Sequence, residues 1–471
     1  MFFRYFFDER LAHSSYMVGC QRTGEAIIVD PGRNVTPYFE VAEKEGLHIT
    51  AATETHIHAD FLSGARELAK RHNVKLYLSD EGDENWKYQY VDDIDHKLVR
   101  DGSVFQVGNI SFEVMHTPGH TPESISFLLT DKGGGSSVPM GIFTGDFVFV
   151  GDVGRPDLLE KAAGIVGTAN IGAKQMFHSL ERFKTLPEHL QVWPAHGAGS
   201  ACGKALGAVP LSTVGYELRN NWALQYKEEE PFVKALLSGQ PEPPKYFAMM
   251  KKLNKVGPNL LSDEAVMKYN TIEQVKDSIN EKTIVIDTRP AADFRNGHMN
   301  GAINIPFNKS FTNWAGWVVR YDQEMILIAE EVKLANILEA LQSIGLDQVK
   351  GYINVDVAKQ SAYMTESYEN IDPKQLSQLL KQEDTFLLDV RNQSEWDESH
   401  IEQAHHYMLG YLSDRISELP KDKTLVVQCL SGARSAIATS ILQANGFKHV
   451  INLADGFKGW TKERMPVVSG K

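Results

Sequence analysis

The stretch "TIVIDTRPAADFRNGHMNGAINIP" (283–306) returns later in the chain as "TFLLDVRNQSEWDESHIEQAHHYM" (385–408), with Asp287 over Asp389, Arg289 over Arg391 and His298 over His400. Downstream, "DQEMILIAEEVKLANILEALQSIGL" answers "DKTLVVQCLSGARSAIATSILQANGF", placing Ala329 over Cys429 and Gly345 over Gly446. An internal repeat fixes the architecture before any single motif is weighed. In each copy an apolar strand leads into a helix whose core positions recur at helical spacing, such as Ile437, Ile441 and Ala444, and which a glycine stops. Two copies of one small α/β module therefore follow a longer N-terminal region.

That region shows short apolar runs alternating with helical patterns: "EAIIVD", "ITAATETH", "VKLYLS", "ISFEVMHTPGH", "GIFTGD" and "LQVWPAHG". This is a layered α/β domain, with "MFFRYFFDER" as an edge strand. "TDKGGGSSVP" reads as a hairpin or loop without a role, since no helix follows it directly to make a phosphate cradle. The proline and glycine content of "LLSGQPEPPKYFAMMKKLNKVGPNLLSDE" reads as a linker. The expected boundaries are 1–240 for the first domain, 241–272 for the linker, and 273–358 and 370–471 for the two repeats. A chain of 471 residues suits about three domains.

Charge and cysteine content remove several function classes. A formal net charge of −13 with no basic patch opposes nucleic-acid binding. Three scattered cysteines, Cys20, Cys202 and Cys429, fit a reducing cytosol better than a disulfide framework. Charged residues interrupt the aromatic N-terminus before a signal-peptide core forms, and no run reaches the roughly 18 apolar residues of a membrane helix. A cytoplasmic protein without membrane contact is expected.

Four candidate ligands share one placement. His56, His120, Asp146 and His196 each follow the end of a short apolar run, so a layered sheet can bring them to one edge, where α/β sites lie. "TETHIHADFLSG" approaches His-x-His-x-Asp-His but carries Phe61 at the last position, where phenylalanine cannot ligate. Two imidazoles and a carboxylate with open positions suit non-heme iron(II), while zinc with three protein ligands and a water remains chemically open.

Through "THIHAD", "TPGHT", "TGD" and "PAHG" the region resembles the metallo-β-lactamase fold, an αββα sandwich. In its dinuclear members, such as glyoxalase II, the final histidine of that run helps hold a second metal, so Phe61 disfavours a bridged two-metal hydrolase here. The longer match through "FFRYFFDE", "GCQRTGEAIIVDP", "TPGHTPES" and "GDVGRPDL" is similar to the persulfide dioxygenase branch. That resemblance implies one mononuclear Fe(II) held by His56, His120 and Asp146, with His58, Asp60 and His196 behind the ligands or beside the substrate. Arg155 and Lys204 offer charge to an anionic persulfide or are solvated surface groups. Cys202, in a glycine-rich loop beyond His196, is either a sulfur relay or a small buried hydrophobe, and Cys20 reads as inert.

In the last repeat, "TLVVQCLSGARSAIATSIL" sets Cys429 between a strand and a helix N-terminus, where loop amides and the helix favour a thiolate. A cysteine phosphatase uses a similar cradle with five residues between cysteine and arginine; here there are four, a smaller ring suited to sulfur. Through "LLDVRNQSEW", "CLSGARS" and "GFKGW" the module resembles rhodanese, which implies that Cys429 carries a persulfide within the loop Leu430, Ser431, Gly432, Ala433, Arg434 and Ser435. Asp389 and Arg391 read as a structural pair. The middle repeat has Ala329 and "EEVK" instead, so it reads as a noncatalytic rhodanese homology module, a spacer or interface; paired acids as general acid and base are the sharper alternative.

The whole chain is thus similar to persulfide dioxygenase–rhodanese fusions. The resemblance implies oxidation of a low-molecular-weight thiol persulfide by O₂ to sulfite, followed by sulfur transfer to give thiosulfate. Small-molecule thiol persulfide, O₂ and sulfite are the expected partners, and the inert middle module makes a homo-oligomer expected. A zinc-dependent thioester hydrolase of glyoxalase II type, fused to a sulfurtransferase, is the alternative.

Overall fold

The computed structural model describes residues 1–158, 160, 167–204 and 206–470. Among these, strands form four sheets in two compact units, the first spanning Met1–Ser262 and the second beginning at Asp263.

In the first unit one sheet runs β1 (Phe2–Asp8), β2 (His13–Cys20), β3 (Glu25–Val29), β4 (His48–Thr53), β5 (Lys75–Ser79) and β6 (His96–Val99) in spatial order. Its first three strands are antiparallel and the rest parallel, with β1 on the edge as its aromatic sequence suggests. The other sheet contains β7 (Val104–Val107), β8 (Ile110–His116), β9 (Ile125–Asp131), β10 (Gly141–Gly145), β11 (Gln191–Pro194) and β12 (Ser212–Thr213), in the reverse spatial order. β8, β9 and β10 pair antiparallel and β11 lies parallel to β10.

Three buried clusters define the layers. Tyr16, Val18, Ile27 and Val29 of the first sheet pack against Phe112, Val114, Phe127 and Phe143 of the second. The outer face of the first sheet, including Ile28 and Ala52, is covered by Tyr38 and Ala42 of helix Thr36–Glu45 and by Ala65 and Leu68 of helix Ala65–His72. On the other side Ile142 and Val192 meet Ala173, Met176, Leu180 and Phe183 of helix Thr168–Phe183. Helix, sheet, sheet, helix is the αββα sandwich expected from sequence.

The second unit holds two parallel five-stranded sheets of like topology. One orders β13 (Met267–Tyr269), β17 (Val349–Asn354), β16 (Glu324–Ala329), β14 (Thr283–Asp287) and β15 (Ile303–Asn304). The other orders β18 (Glu369–Ile371), β22 (Val450–Leu453), β21 (Thr424–Gln428), β19 (Thr385–Asp389) and β20 (Ala404–His406). In both, an arginine two residues past an aspartate folds back on it inside the core: Arg289 Nη2 lies 2.6 Å from Asp287 and Arg391 Nη2 2.7 Å from Asp389. A buried pair of this kind holds a turn in place more than it adds net stability.

The stretch expected to be a linker is not one. Residues 246–256 form a helix of the first unit that buries Tyr246, Phe247, Met250 and Asn254. Its buried positions at i, i+1, i+4 and i+8, three apolar and the last an asparagine, provide one packing face, a period hidden in the sequence by the prolines and lysines around it. β13 starts before residue 273 and pairs with β17, while Glu366 bridges His298, so the middle module reaches beyond 273–358 at both ends. No helix among the described residues is long and apolar enough to cross a membrane.

Candidate functional sites

The first site lies beyond the C-terminal ends of β4, β8, β10 and β11. His56 Nε2 and His120 Nε2 stand 3.9 and 3.5 Å from Asp146 Oδ2, all three side chains buried. Second contacts set each ring. His120 Nδ1 donates to the carbonyl of Arg155 at 2.9 Å, leaving Nε2 aimed inward. His56 Nδ1 lies 3.0 Å from the Thr55 hydroxyl, which itself donates to Asp30 Oδ2. Such outer contacts orient an imidazole lone pair toward a metal. Burial lowers the pKa of His56 and of His120, which favours the neutral, ligating form.

Beside this triad stand Asp60, His196 and Cys202. His196 Nε2 is 3.1 Å from Asp60 Oδ2 and 3.3 Å from Asp146 Oδ1, and its Nδ1 donates to the Ala12 carbonyl at 3.0 Å. Burial would raise the Asp60 carboxyl, but the neighbouring imidazole holds it well below the usual carboxylate range. Burial, with Asp146 and Asp60 adding, pushes the Cys202 thiol far up. The donor atoms of each trio lie within 4.8 Å of one another.

Both oxygens of Asp146, both of Asp60, and Nε2 of His56 and His196 are buried without a properly directed hydrogen bond among the described residues. Unsatisfied buried polar atoms are costly, and six converging on one place mark a cavity built for a cation. The donor set, imidazole and carboxylate, fits iron or zinc.

Residues missed in the sequence complete the site. His13, at the start of β2, is buried and its ring lies 3.7 Å from that of Phe61. Phe61 also meets His58, at 4.4 Å, so the phenylalanine is packed between two imidazoles. Asp30 accepts from Thr55 N at 2.7 Å and lies 3.1 Å from His58 Nε2, which leaves His58 Nδ1 buried without a hydrogen bond among the described residues, its ring 4.2 Å from that of His56. An acid directly after a strand in "IIVDPG" was the available signal for Asp30; nothing local marked His13.

Arg155 is not a surface charge. It is fully buried, gripped by Asp157 at 2.7 Å through two nitrogens, and donates to the Pro241 carbonyl at 2.6 Å, while its backbone carbonyl serves the site through His120. Lys204 is likewise turned aside, donating to the carbonyls of Ala235 and Ser238 with its ammonium over the Trp222 ring. Asn254, in the supposed linker, donates to the carbonyl of His58 at 2.8 Å and accepts from Ser63 N at 2.9 Å.

The second site follows β21. Cys429 is buried, and its sulfur accepts from Gly432 N at 3.2 Å and from the Ser435 hydroxyl at 3.4 Å. Gly432 has φ +89° and no room for a Cβ against the Ala454 carbonyl, so glycine is required there. Phe457 N and Lys458 N donate to the carbonyls of Cys429 and Leu430, which ties the loop down from the other side. Leu430, Ser431 and Ala433 are exposed around it. Arg434 does not point freely into the cradle: its guanidinium grips both oxygens of Glu395 at 2.6 and 2.7 Å. In the middle module the corresponding acids are occupied in exposed ion pairs, Glu330 with Lys333 and Glu331 with Lys268, which disfavours their reading as an acid–base couple.

Residues 8–196 match the family model of the metallo-beta-lactamase superfamily, and residues 271–359 and 372–463 each match that of the rhodanese-like domain. A solved structure of a metallo-beta-lactamase from Staphylococcus aureus is 47% identical, with a TM-score of 0.68, covering 75% of this chain and 99% of that one. The mitochondrial persulfide dioxygenase ETHE1 of Bos taurus is 26% identical over 41% of this chain and 67% of its own. A hydroxyacylglutathione hydrolase from Haemophilus ducreyi is 32% identical over 39% and 65%. A sulfurtransferase from Allochromatium vinosum is 37% identical over 21% and 94%.

Proposed function

This chain belongs to the metallo-beta-lactamase superfamily and carries two rhodanese-like domains behind that fold, and from this premise we propose that it is a persulfide dioxygenase coupled to a sulfurtransferase. The observation that carries the reading is the buried His56, His120 and Asp146 triad, set beside a Phe61 that supplies no donor and on the same chain as a cradled Cys429. A ferrous ion held by those three residues would supply the activation of O₂ that such an oxidation needs.

The net first reaction takes a thiol persulfide, O₂ and water to the thiol, sulfite and two protons. The chain's own residues prepare it. Arg155, through its carbonyl, and Thr55, through its hydroxyl, set the two imidazoles, and the Phe61 ring fills its place between His13 and His58 without offering a donor.

At the second site Cys429 takes the sulfane sulfur of a further persulfide, releasing the thiol. Gly432 N–H and the Ser435 hydroxyl stabilise the sulfur as an anion. Sulfite then attacks the outer sulfur: the new S–S bond of thiosulfate forms as the Cys429 S–S bond breaks, and the electron pair returns to the Cys429 thiolate. No outside oxidant is needed, and joining both sites in one polypeptide raises the local concentration of sulfite.

A zinc-dependent thioester hydrolase is the second reading, favoured by the additional donors of Asp60, His196 and Cys202 and by the likeness to hydroxyacylglutathione hydrolase. Metal analysis of anaerobically purified protein, together with an oxygen electrode, separates the two. Iron with persulfide-dependent O₂ uptake supports the dioxygenase; paired zinc ions, thioester cleavage and no gas consumption support the hydrolase.

A further inference from the structure

Helix Ala433–Ala444, which starts at the Cys429 loop, is buried continuously from Ser435 to Leu442. A helix laid on one sheet hides a single stripe. Its counterpart in the middle module, Leu334–Gln342, behaves that way and buries Ile337, Ala340 and Leu341. The two helices occupy the same place in a repeated fold, so the excess burial of one needs a cause outside its own module.

That cause is the middle module. Ala436, Ser440 and Gln443 stand at i, i+4 and i+7, one face of the helix. Ala436 joins the core built around Phe294, Met299 and Ile328. The Ser440 hydroxyl accepts the backbone N–H of Asn304, in β15, at 3.0 Å. Gln443 Nε2 donates to the Ser367 carbonyl at 2.9 Å.

A second contact converges on the same loop. Trp317, in helix Phe311–Val318, packs against Gly410 where a Cβ would collide, and meets the Tyr411 ring edge-on at 5.4 Å. The adjoining Leu409 N donates to the Val390 carbonyl, and Val390 N donates to the carbonyl of Gln428, the residue before Cys429.

We infer that the middle module, which lacks a nucleophile of its own, is a positioning element for sulfur transfer: it holds the helix N-terminus and the strand end between which Cys429 sits. This rests on the reading of Cys429 as the sulfur carrier. Asn304, Trp317 and Ser440 are positioning residues that touch no substrate.

The test uses the full chain carrying Ser440→Ala or Trp317→Ala. Cys429 is first loaded with sulfane sulfur, and its transfer to sulfite is followed in a single turnover by rapid quench. A misplaced cradle lowers the rate constant of that step about tenfold or more, whereas mere loss of folded protein lowers the amplitude and leaves the rate constant alone. Persulfide-dependent O₂ uptake is expected to stay at the parent rate. An unchanged transfer rate constant in both variants overturns the positioning role. If Trp317→Ala yields no folded protein, Ser440→Ala, which removes one oxygen atom, decides by the same criterion. Thiosulfate formation surviving in Cys429→Ser would instead overturn the underlying assignment of the nucleophile.

Discussion

Asn254 donates its side-chain amide to the carbonyl of Phe61 at 2.8 Å. The same nitrogen reaches the His58 carbonyl and the oxygen takes the Ser63 N–H, so one buried side chain fastens the loop that carries Asp60. Asn254→Ala leaves these backbone groups unpaired, which costs about 2–4 kcal/mol. Denaturant titration should register that loss and metal analysis a lower bound-metal content, whereas truncation after residue 240 removes the fastening altogether and should give protein that loads little metal. Full loading of either form would show that the loop is held by other means.

Removing a ligand should separate metal loading from folding. Asp146→Ala is expected to keep the fold but lose iron and persulfide-dependent O₂ uptake together; retention of both would exclude Asp146 from the triad.

Phe61→His restores an imidazole beside Asp60 and His196. Metal analysis after reconstitution should show additional bound metal, and O₂ uptake per iron should fall. An unchanged stoichiometry would mean that packing around His13, and not the absent donor, limits the site to one ion.

Cys429→Ser should abolish thiosulfate formation while sulfite accumulates at the parent rate, followed by chromatography of the sulfur anions. Loss of sulfite production with iron still bound would contradict two separable centres.

Glu123 gives a pH-dependent prediction. Burial raises its carboxyl pKa to about 7, against the opposing pull of the Ile57 N–H it accepts and of Lys251. In the unfolded chain glutamate titrates near about 4.3. Between those values the unfolded chain has released the proton that the folded protein keeps, so stability falls as pH rises through the window and levels off above it. Glu123→Gln does not titrate, and the stability difference from the parent should therefore change by at most about 4 kcal/mol across this range in urea melts. A flat difference would show that Glu123 is ionised throughout.

Much of this was legible because it was periodic or adjacent. The repeat announced two like modules through Asp287 and Arg289, Asp389 and Arg391, and strand ends announced His56, His120, Asp146 and His196. What escaped depended on distance along the chain. His13 meets Phe61 only when β2 folds into the sheet, and Asn254 meets His58 only across nearly the whole first unit. Arg155 misled for a simpler reason: an arginine beside a motif gives no sign that an aspartate two residues on will claim it. The continuous burial of helix Ala433–Ala444 was hidden because its small residues pack against another module, and no one-module pattern encodes that.

The twin aspartate–arginine clasps, made by the same hydrogen bonds in the two repeats although just one copy keeps a thiol, show that the clasp and the thiol are inherited separately here. A duplicate can shed its chemistry and still be retained as masonry. Assigning activity to such a domain from its most recognisable ion pair would credit the copy without a thiol as readily as the one that has it; the residue to read is the one aligned with Cys429 and Ala329, at the end of the middle strand or directly after it.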